Sequence, residues 1–394
     1  MLEWLIVGGG IHGTYLANLL IQRFKIPHDR LMIVDPHDSP CQSWKVLTER
    51  TGMVFLRSTM ERHLDIDPDS LKNFLASDTS CPEPKTLGDG LKPSLALFNA
   101  HIDYVIDKAE LHKSYRVGRV KGITVRSRHI VAHTTFGDVK TRRVILAMSP
   151  TENPEVPAWA HALQEKGLPV RHVFDETFTR RSIAPGFTYA IVGRGLTAAQ
   201  VALIAAEKSP GKAYLLSKGQ IPVHDIGFRP ATELGDFHGE TDMAKRREYL
   251  SKAMVRGSIT REVAADLFQA SMVDRHLKVS FSHAVDGKAL DNGQIELTLS
   301  NGETLVVDRV LLGTGFNVHC PGEDWLKGSV YGCDLPVHTD GYPIVDKFLR
   351  WHPRIFVTGA LAELEIGPGA RNIVGARLAG DRIANWLEGK GKRK

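Results

Sequence analysis

The sequence is poor in cysteine and has no long apolar run. Its four cysteines, Cys41, Cys81, Cys320 and Cys333, lie far apart and form no C-x-x-C pair. This spacing excludes a zinc ribbon and a short redox-active dithiol, and sparse cysteine is typical of proteins in a reducing cytosol. No stretch of 18 uncharged apolar residues exists, so we expect no membrane span. The apolar start, residues 2–7, lacks the basic flank of a signal peptide, and we predict a cytoplasmic protein.

The chain also lacks internal repeats, strong charge and clustered metal ligands. The net charge of +5 is a mild excess for 394 residues, so we predict no nucleic-acid partner and regard the basic tail, residues 390–394, as a solvated end. His63, Asp65 and Asp67 form a polar cluster with too few ligands at unsuitable spacing, and we predict no metal site. Composition and length are those of a globular protein of two to three domains.

One long-range similarity organises the chain. Residues 4–20 read as a short buried strand, a glycine turn and the start of a helix, and residues 188–206 repeat that pattern. A second strand follows each unit, at Arg143–Ala147 and at Arg309–Leu312, and each ends in small residues. The sequence therefore predicts an α/β fold with two Rossmann-like dinucleotide-binding domains.

The first turn, residues 8–13, carries the G-x-G-x-x-G spacing directly after a strand. Gly8 makes the tight turn, Gly10 lets the backbone approach a pyrophosphate, and Gly13 allows the helix to pack on the strand. His12 lies within this turn, where its backbone matters more than its ring. Asp35 ends the next strand, 22 residues beyond Gly13, where an acidic side chain binds a ribose hydroxyl. We predict a dinucleotide site here.

The second turn, residues 193–198, is the G-x-G-x-x-A variant. The next strand, Ala213–Leu216, ends in Ser217 and Lys218, and no acid stands there to repel a 2′-phosphate. Hydroxyl and ammonium groups at this point favour NADPH over NADH. The predicted contacts at this site are Gly193, Arg194, Gly195, Ala198, Ser217 and Lys218.

Two nucleotide sites in one chain suggest a tightly bound FAD at the first and a dissociable NADPH at the second, with a hydride passing between them. We predict that residues 1–150 and 309–394 form the FAD-binding domain. Residues 151–187, which contain several prolines, form a linker. Residues 188–308 form the NAD(P)H-binding domain, with a helical excursion at about 240–275.

Three segments support a closer resemblance. The chain as a whole resembles the two-dinucleotide-binding flavoproteins. Thr51–Arg57, Asp67–Leu75 and Ile191–Gln200 are similar to segments of the N-hydroxylating monooxygenases of the lysine/ornithine type. The sequence departs from that family at Val54, where the family has glutamine, and at Arg57, where it has a substrate-binding lysine.

This resemblance implies a function and further site residues. The function is an FAD- and NADPH-dependent monooxygenase that acts through a C4a-hydroperoxyflavin, with O₂, on a small nucleophilic substrate such as an amine. Arg57 would position the substrate or the nicotinamide, with an ion pair to Asp65 or Glu61 as the alternative. Further cofactor contacts would come from Trp44 and Met53, for which core packing is the alternative, and from Gly315, Gly359, Gly367 and Asn372.

Two other functions stay open on the sequence. One is an NAD(P)H-dependent flavin reductase that passes electrons to a protein or quinone acceptor. The other is a non-catalytic flavin-binding sensor. Monooxygenase chemistry needs few side chains beyond those that position the reactants, so the sequence does not separate the three.

Overall fold

The computed structural model describes residues 1–77, 81–82, 84–88, 91–149, 153–229, 236–317, 319–329 and 334–391. The strands are β1 Leu2–Val7, β2 Leu31–Asp35, β3 Thr86–Leu87, β4 Lys92–Pro93, β5 Tyr115–Val117, β6 Val120–Val125, β7 Ile130–Thr134, β8 Gly137–Leu146, β9 Val170–His172, β10 Tyr189–Val192, β11 Ala213–Leu216, β12 Leu277–Ser280, β13 Ala284–Ala289, β14 Ile295–Leu299, β15 Thr304–Val307, β16 Arg309–Leu312, β17 Arg350–His352 and β18 Ile355–Val357. The α-helices are α1 Ile11–Gln22, α2 Gln42–Thr51, α3 Ser70–Ser77, α4 Leu95–Lys108, α5 Ala158–Glu165, α6 Leu196–Lys208, α7 Met243–Ala253, α8 Arg261–Phe268, α9 Glu323–Ser329, α10 Glu363–Ile366 and α11 Ile373–Gly391.

The larger sheet has the order β17-β18-β8-β1-β2-β5, and the hairpin β6-β7 extends it through β8. Its central strands are parallel, with Ile6 opposite Ile33 on one side and Ile145 on the other. These three side chains are fully buried, as expected for a parallel sheet that is covered on both faces. The hairpin is antiparallel, and β-branched residues are frequent in both of its strands.

The second sheet has the order β12-β11-β10-β16-β9 and is parallel throughout. A three-stranded antiparallel sheet, β13-β14-β15, accompanies it. The chain leaves the larger sheet after β8, builds the second, and returns with β17 and β18. The predicted fold of two Rossmann-like domains, one inserted in the other, is confirmed.

The predicted domain boundaries need two corrections. β16 pairs with β10, so Arg309–Leu312 belongs to the inserted domain and the chain returns only after it. β9 pairs with β16, so Val170–His172, which we expected in the linker, also belongs to the inserted domain. The similarity of Arg309–Leu312 to the strand before residue 148 misled the prediction, because both are buried central strands of parallel sheets.

The helical excursion at 240–275 consists of α7, α8 and a π-helical turn over Gln269–Val273. Thr260 caps α8, and its side chain accepts a hydrogen bond from the Val263 N–H. Asp242 caps α7, since its carboxylate accepts a hydrogen bond from the Ala244 N–H. Among the described helices none is both long and apolar enough to cross a membrane.

Candidate functional site

The first glycine turn is shaped by close packing around it. A Cβ on Gly13 would lie 1.8 Å from the Gly8 carbonyl oxygen, and a Cβ on Gly8 would lie 2.5 Å from the carbonyl oxygen of Ala147. Gly8 also has a φ of +106°, which side chains disfavour. By contrast, no atom lies within 4 Å of the Cβ position of Gly10. The turn is therefore closed on the protein side and open where a ligand would approach.

Helix α1 begins at this opening. Its N-cap is Gly10, which offers no side-chain hydrogen bond, and its first turn contains no acidic residue. The free N–H groups and the positive end of the helix dipole suit an anion such as a pyrophosphate. Gly10, Ile11 and His12 line a large cavity, so this end of the helix faces open space.

Asp35 ends β2 beside the turn. Its Oδ2 accepts a hydrogen bond from the Gly9 N–H at 2.6 Å, and its Oδ1 accepts from the His37 N–H at 3.0 Å. These bonds fix the carboxylate at the end of the strand, where we predicted a ribose contact.

His12 joins three parts of the first domain. Its Nε2 lies 3.1 Å from the carbonyl oxygen of Asn372, which can only accept, so Nε2 carries the proton. Nδ1 then accepts from the Thr358 hydroxyl at 2.8 Å. Burial lowers the pKa of His12 to about 4, so the ring is neutral at pH 7. The ring thus has a structural role that we did not predict from the sequence.

The cavity has a volume of about 1000 Å³ and lies between the two glycine turns. Residues of both domains line it, and so do residues 226–228, α7 and the loop 254–257. We call residues 221–229 and 236–260 the cover segment. Of the predicted site residues, those that line the cavity are Gly10, His12, Trp44, Met53, Arg57, Gly315, Gly359, Gly367 and Asn372.

Arg57 holds the cover segment in place. Its guanidinium donates to the carbonyl oxygens of His224 and Asp225 and, over 3.1 Å, to the Ser258 hydroxyl. Burial lowers the pKa of Arg57, and the nearby Asp225 carboxylate raises it. The alternative of an ion pair to Asp65 or Glu61 is wrong.

The two acids that we considered for Arg57 have other partners. Asp65 pairs with Lys108 at 2.8 Å and accepts from the Ser70 hydroxyl at 2.7 Å. Glu61 lies 3.9 Å from Lys72. Arg57 therefore lines the cavity, and its three guanidinium hydrogen bonds go to the cover segment, so its role in positioning substrate or nicotinamide stays a prediction.

The remaining cavity residues of the first domain have mixed roles. Trp44 donates from Nε1 to Asn99 at 3.2 Å and packs edge-on against Phe98, so it combines core packing with a cavity position. Met53 also packs against the core cluster. Gly359 and Gly367 have φ values of +64° and +97°, which explains why glycine stands at both.

The cavity wall also carries a group of charged side chains that we did not predict from the sequence. Glu363 is buried and binds two arginines, Arg247 from the cover segment and Arg371, the latter at 2.6 Å. Arg247 also pairs with Asp340 at 2.6 Å, and Arg371 donates to the Tyr342 hydroxyl at 2.9 Å. Burial lowers the pKa of Arg371, but the hydrogen bond and charge of Glu363 outweigh it, so that pKa rises.

This network ties α7 to the α10 turn, and only part of it has a sequence signal. Glu363 and Glu365 interrupt an otherwise apolar run, a position where acids are usually paired. Nothing near Arg247 indicates its role, because its partners lie 93 and 116 residues away in sequence. Charge pairs of this kind are visible only once the fold brings them together.

The second glycine turn has the same local geometry as the first. A Cβ on Gly193 would lie 2.4 Å from the Gly313 carbonyl oxygen, and Ala198 packs directly on Gly313. Helix α6 begins after Gly195 without a side-chain cap. The difference lies above the turn, where Gly257 of the cover segment would be 3.3 Å from a Cβ on Gly195.

Arg194 holds this loop over the second turn. Its Nη2 donates to the Arg256 carbonyl oxygen at 2.9 Å, and its side chain packs against Gly257. The predicted phosphate contact of Ser217 does not match its position, because Ser217 is fully buried and donates to the Gly219 carbonyl at 2.7 Å. Lys218 is exposed at the end of β11, where its predicted role stays a prediction.

The comparisons with known proteins agree on the fold. No protein-family profile matches the chain, and no curated protein has a similar sequence. The FAD-bound cadaverine monooxygenase from Erwinia amylovora superposes with a TM-score of 0.74, 13% identity and coverage of 99% of this chain and 95% of that one. Ornithine hydroxylase from Pseudomonas aeruginosa superposes with a TM-score of 0.70 and 16% identity, and the match covers 98% of each chain. A bacillithiol disulfide reductase from Staphylococcus aureus superposes with a TM-score of 0.65 and 15% identity, and the match covers 99% of this chain and 98% of that one.

The expected likeness to the N-hydroxylating monooxygenases is confirmed at the level of the fold. The reductase shares the same architecture, so the fold serves both chemistries. Only the residues of the site can therefore distinguish the two functions.

Proposed function

We propose that the chain is an FAD-dependent, NADPH-oxidising monooxygenase that acts on a small nucleophilic substrate. The observation that carries the proposal is the first turn: an open backbone cradle at Gly10 leads into a cavity of about 1000 Å³, and the cover segment forms one of its walls. The alternatives are a flavin reductase with a protein or quinone acceptor, and a non-catalytic flavin sensor.

The residues at the first turn fit FAD. The backbone of residues 8–13 and the uncapped start of α1 would hold the pyrophosphate. Asp35 would bind the ribose. The turn from Gly359 to Asn372 lines the cavity and would border the flavin ring. When bound, the flavin supplies the redox chemistry with O₂, and the protein contributes position and shelter.

Two features favour oxygen chemistry over thiol chemistry. The cover segment forms one wall of the cavity and so limits the access of water from that side, and exclusion of water is what an oxygenating flavin needs from its protein. Burial raises the pKa values of Cys41 and Cys320 to about 12, so both thiols stay protonated and unreactive. Among the described cysteines these two therefore offer no dithiol for a disulfide reductase.

The second turn does not fit NADPH in this arrangement. Gly257 stands where the backbone of Gly195 would meet a pyrophosphate, and Ser217 has no free hydroxyl. Arg194 and Lys218 remain suitable in charge. We propose NADPH as the reductant because no acidic residue stands at the end of β11, where it would repel the 2′-phosphate.

The names of three structural neighbours support the substrate class that we propose. Enzymes named for cadaverine, ornithine and lysine share the fold, so we propose a primary amine. The test is NADPH oxidation by the flavin-loaded protein under air with cadaverine, L-ornithine and L-lysine, with hydroxylamine product and peroxide both counted. Product that matches the NADPH consumed with one amine supports the proposal. Electron transfer to a quinone without any oxygenated product supports the reductase. If neither NADPH nor NADH reduces the flavin, the result supports the non-catalytic flavin sensor.

An arginine variant tests the role of the cover segment. Arg57→Ala removes three hydrogen bonds to this segment. We expect FAD content and anaerobic reduction to persist, while more than half of the NADPH consumed appears as peroxide because water reaches the cavity. Arg181→Ala, at an exposed arginine outside the cavity, is the control. Coupling equal to wild type in both variants would remove Arg57 from the site.

A further inference from the structure

We propose that the loop 254–258 and a nicotinamide dinucleotide compete for one place, so that NADPH binds only when this loop lifts from the second glycine turn. The inference rests on the proposed use of NADPH. Its basis is the one clear mismatch between the two turns, which are otherwise alike in strand, glycine spacing and helix start.

The mismatch lies at the second glycine of each motif. In a dinucleotide-binding turn this glycine is where the backbone approaches the pyrophosphate. The space beside Gly10 is empty to 4 Å, whereas the Cα of Gly257 lies 3.3 Å from the Cβ position of Gly195. A peptide backbone already occupies the place of the phosphate, and two groups cannot share it.

The loop is held by few contacts, each of which can be broken. Arg194 donates to the Arg256 carbonyl oxygen, and Arg57 donates to the Ser258 hydroxyl. Gly257 has a φ of +69°, which permits its close approach. At the first end, Met254 bridges to Phe228 and the Val255 N–H donates to the Gly227 carbonyl oxygen at 3.1 Å. Beyond the other end, Ile259 bridges to Val223. The anchored ends suit a loop that lifts while the rest of the segment stays in place.

Arg194 gives the nucleotide a means of opening the loop. In the closed state its guanidinium binds a neutral carbonyl. A pyrophosphate would offer an opposite charge and two acceptor oxygens, so the guanidinium could bind it as an ion pair with two parallel hydrogen bonds, which one neutral carbonyl does not allow. The nucleotide would thus draw Arg194 from the Arg256 carbonyl and release the loop as it binds.

The same loop lines the cavity. Met254, Arg256 and Gly257 form part of its wall. When the loop is down, it completes this part of the cavity wall and covers the second turn. When it is up, the second turn is accessible and this part of the wall is missing. Reduction by NADPH and a complete cavity wall then belong to two different conformations.

The test uses the flavin-loaded protein and Gly257→Ala. A Cβ at this position would lie 2.8 Å from Arg194 Nε and would force alanine into the left-handed region, so the closed loop is weakened. Gly293→Ala is the matched control, since Gly293 has a φ of +81° and no atom within 4 Å of its Cβ position. Calorimetry measures NADP⁺ binding, and anaerobic stopped flow measures flavin reduction by NADPH and by 4-deuterated NADPH.

We expect Gly257→Ala to bind NADP⁺ about tenfold more tightly than wild type, because a larger fraction of molecules is open. In wild type, loop opening limits reduction, so the deuterium isotope effect is close to 1, and it rises in Gly257→Ala. Gly293→Ala behaves as wild type. Equal NADP⁺ affinity in all three proteins together with a full isotope effect in wild type overturns the gate and leaves the proposed function intact. Absence of reduction by NADPH in every protein overturns the proposed function and this inference with it.

Discussion

The first glycine turn, residues 8–13, and the second, residues 193–198, both follow a buried parallel strand and both begin a helix without a side-chain cap. Each has a glycine with positive φ at its first position and a tightly packed small residue at its last. They differ in what lies above them, open cavity at Gly10 and the Gly257 backbone at Gly195. The motif thus determines the conformation of the turn, while a segment some 60 residues away determines whether a ligand can reach it.

The difference extends to the fourth residue after each first glycine. At the first turn this is His12, which binds Thr358 and the Asn372 carbonyl and so fixes the turn to the far end of the same domain. At the second it is Thr197, which lines the cavity. The first turn is braced against its own domain, and the second is covered by a segment that also binds the other domain.

The largest effect is expected from valine at the second glycine of each turn. Gly10→Val places a side chain in the empty space of the first turn, so the protein folds but clashes with the pyrophosphate. We expect an FAD affinity lower by about 3 kcal/mol, roughly 100-fold in Kd, and a colourless purified protein. Gly195→Val pushes against Gly257 and should keep its FAD while losing NADP⁺ binding.

Absorbance at purification and calorimetric titration with FAD measure both variants. A folded Gly10→Val protein with a full complement of FAD would place the flavin elsewhere. If Gly195→Val instead lost its FAD, the assignment of the two turns would be reversed.

A smaller effect is expected at Lys218. If this exposed ammonium binds the 2′-phosphate of NADPH, Lys218→Ala weakens NADPH by about 1–3 kcal/mol and leaves NADH unchanged. The measurement is the ratio of kcat/KM for flavin reduction by the two nucleotides. Lys166→Ala, at another exposed lysine, serves as the control. A ratio that stays the same in both variants would leave Lys218 as a surface residue.

An effect of similar size, on stability and not on binding, is expected when the first turn receives the residue of the second. His12→Thr removes two hydrogen bonds and should lower the free energy of unfolding at pH 7 by about 1–3 kcal/mol. The folded-state pKa of His12 is about 4, below its ordinary value of 6.5. Its stabilisation is therefore complete above pH 6.5 and is lost as the pH falls from 6.5 towards 4, because the unfolded chain takes up the proton first.

Urea unfolding at pH 7 and pH 5, with the same excess of FAD, measures both effects. Wild type should lose about 1–2 kcal/mol more than His12→Thr between these pH values. An identical loss in the two proteins would show that His12 titrates normally in the folded state.

The sequence predicted those features that depend on neighbouring residues. Strand, glycine spacing and helix start are local, so the two Rossmann turns and the inserted arrangement were visible in the order of residues. Gly13 illustrates this, since its need for close packing on Gly8 follows from the motif and is confirmed by the 1.8 Å approach. Where two elements look alike, as the strands before residues 148 and 313 do, pattern alone assigned one to the wrong sheet.

The features that were missed depend on residues far apart in sequence. Arg57 binds residues 167 to 201 positions away, and its true partners are carbonyl and hydroxyl oxygens that carry no sequence signal. Arg247 and Glu363 form a pair across 116 residues. The cover over Gly195 could not be predicted either, because nothing in residues 193–198 indicates that Gly257 lies on them.

The interruption of one sheet by another has a consequence for how the chain acquires its structure during synthesis. The second sheet is built from β9 to β12 and β16, so all its strands have been made once residue 312 has been added. In the first sheet β8 already pairs with β1 and β7, but its last residues, 144–146, lack their second partner until Ile355–Val357 has been added, about 200 residues later. Domains tend to fold as units while the chain emerges, and pairing over long separations is slow. The inserted domain is therefore the first to be completed on the ribosome, and the exposed edge of β8 waits longest for its partner.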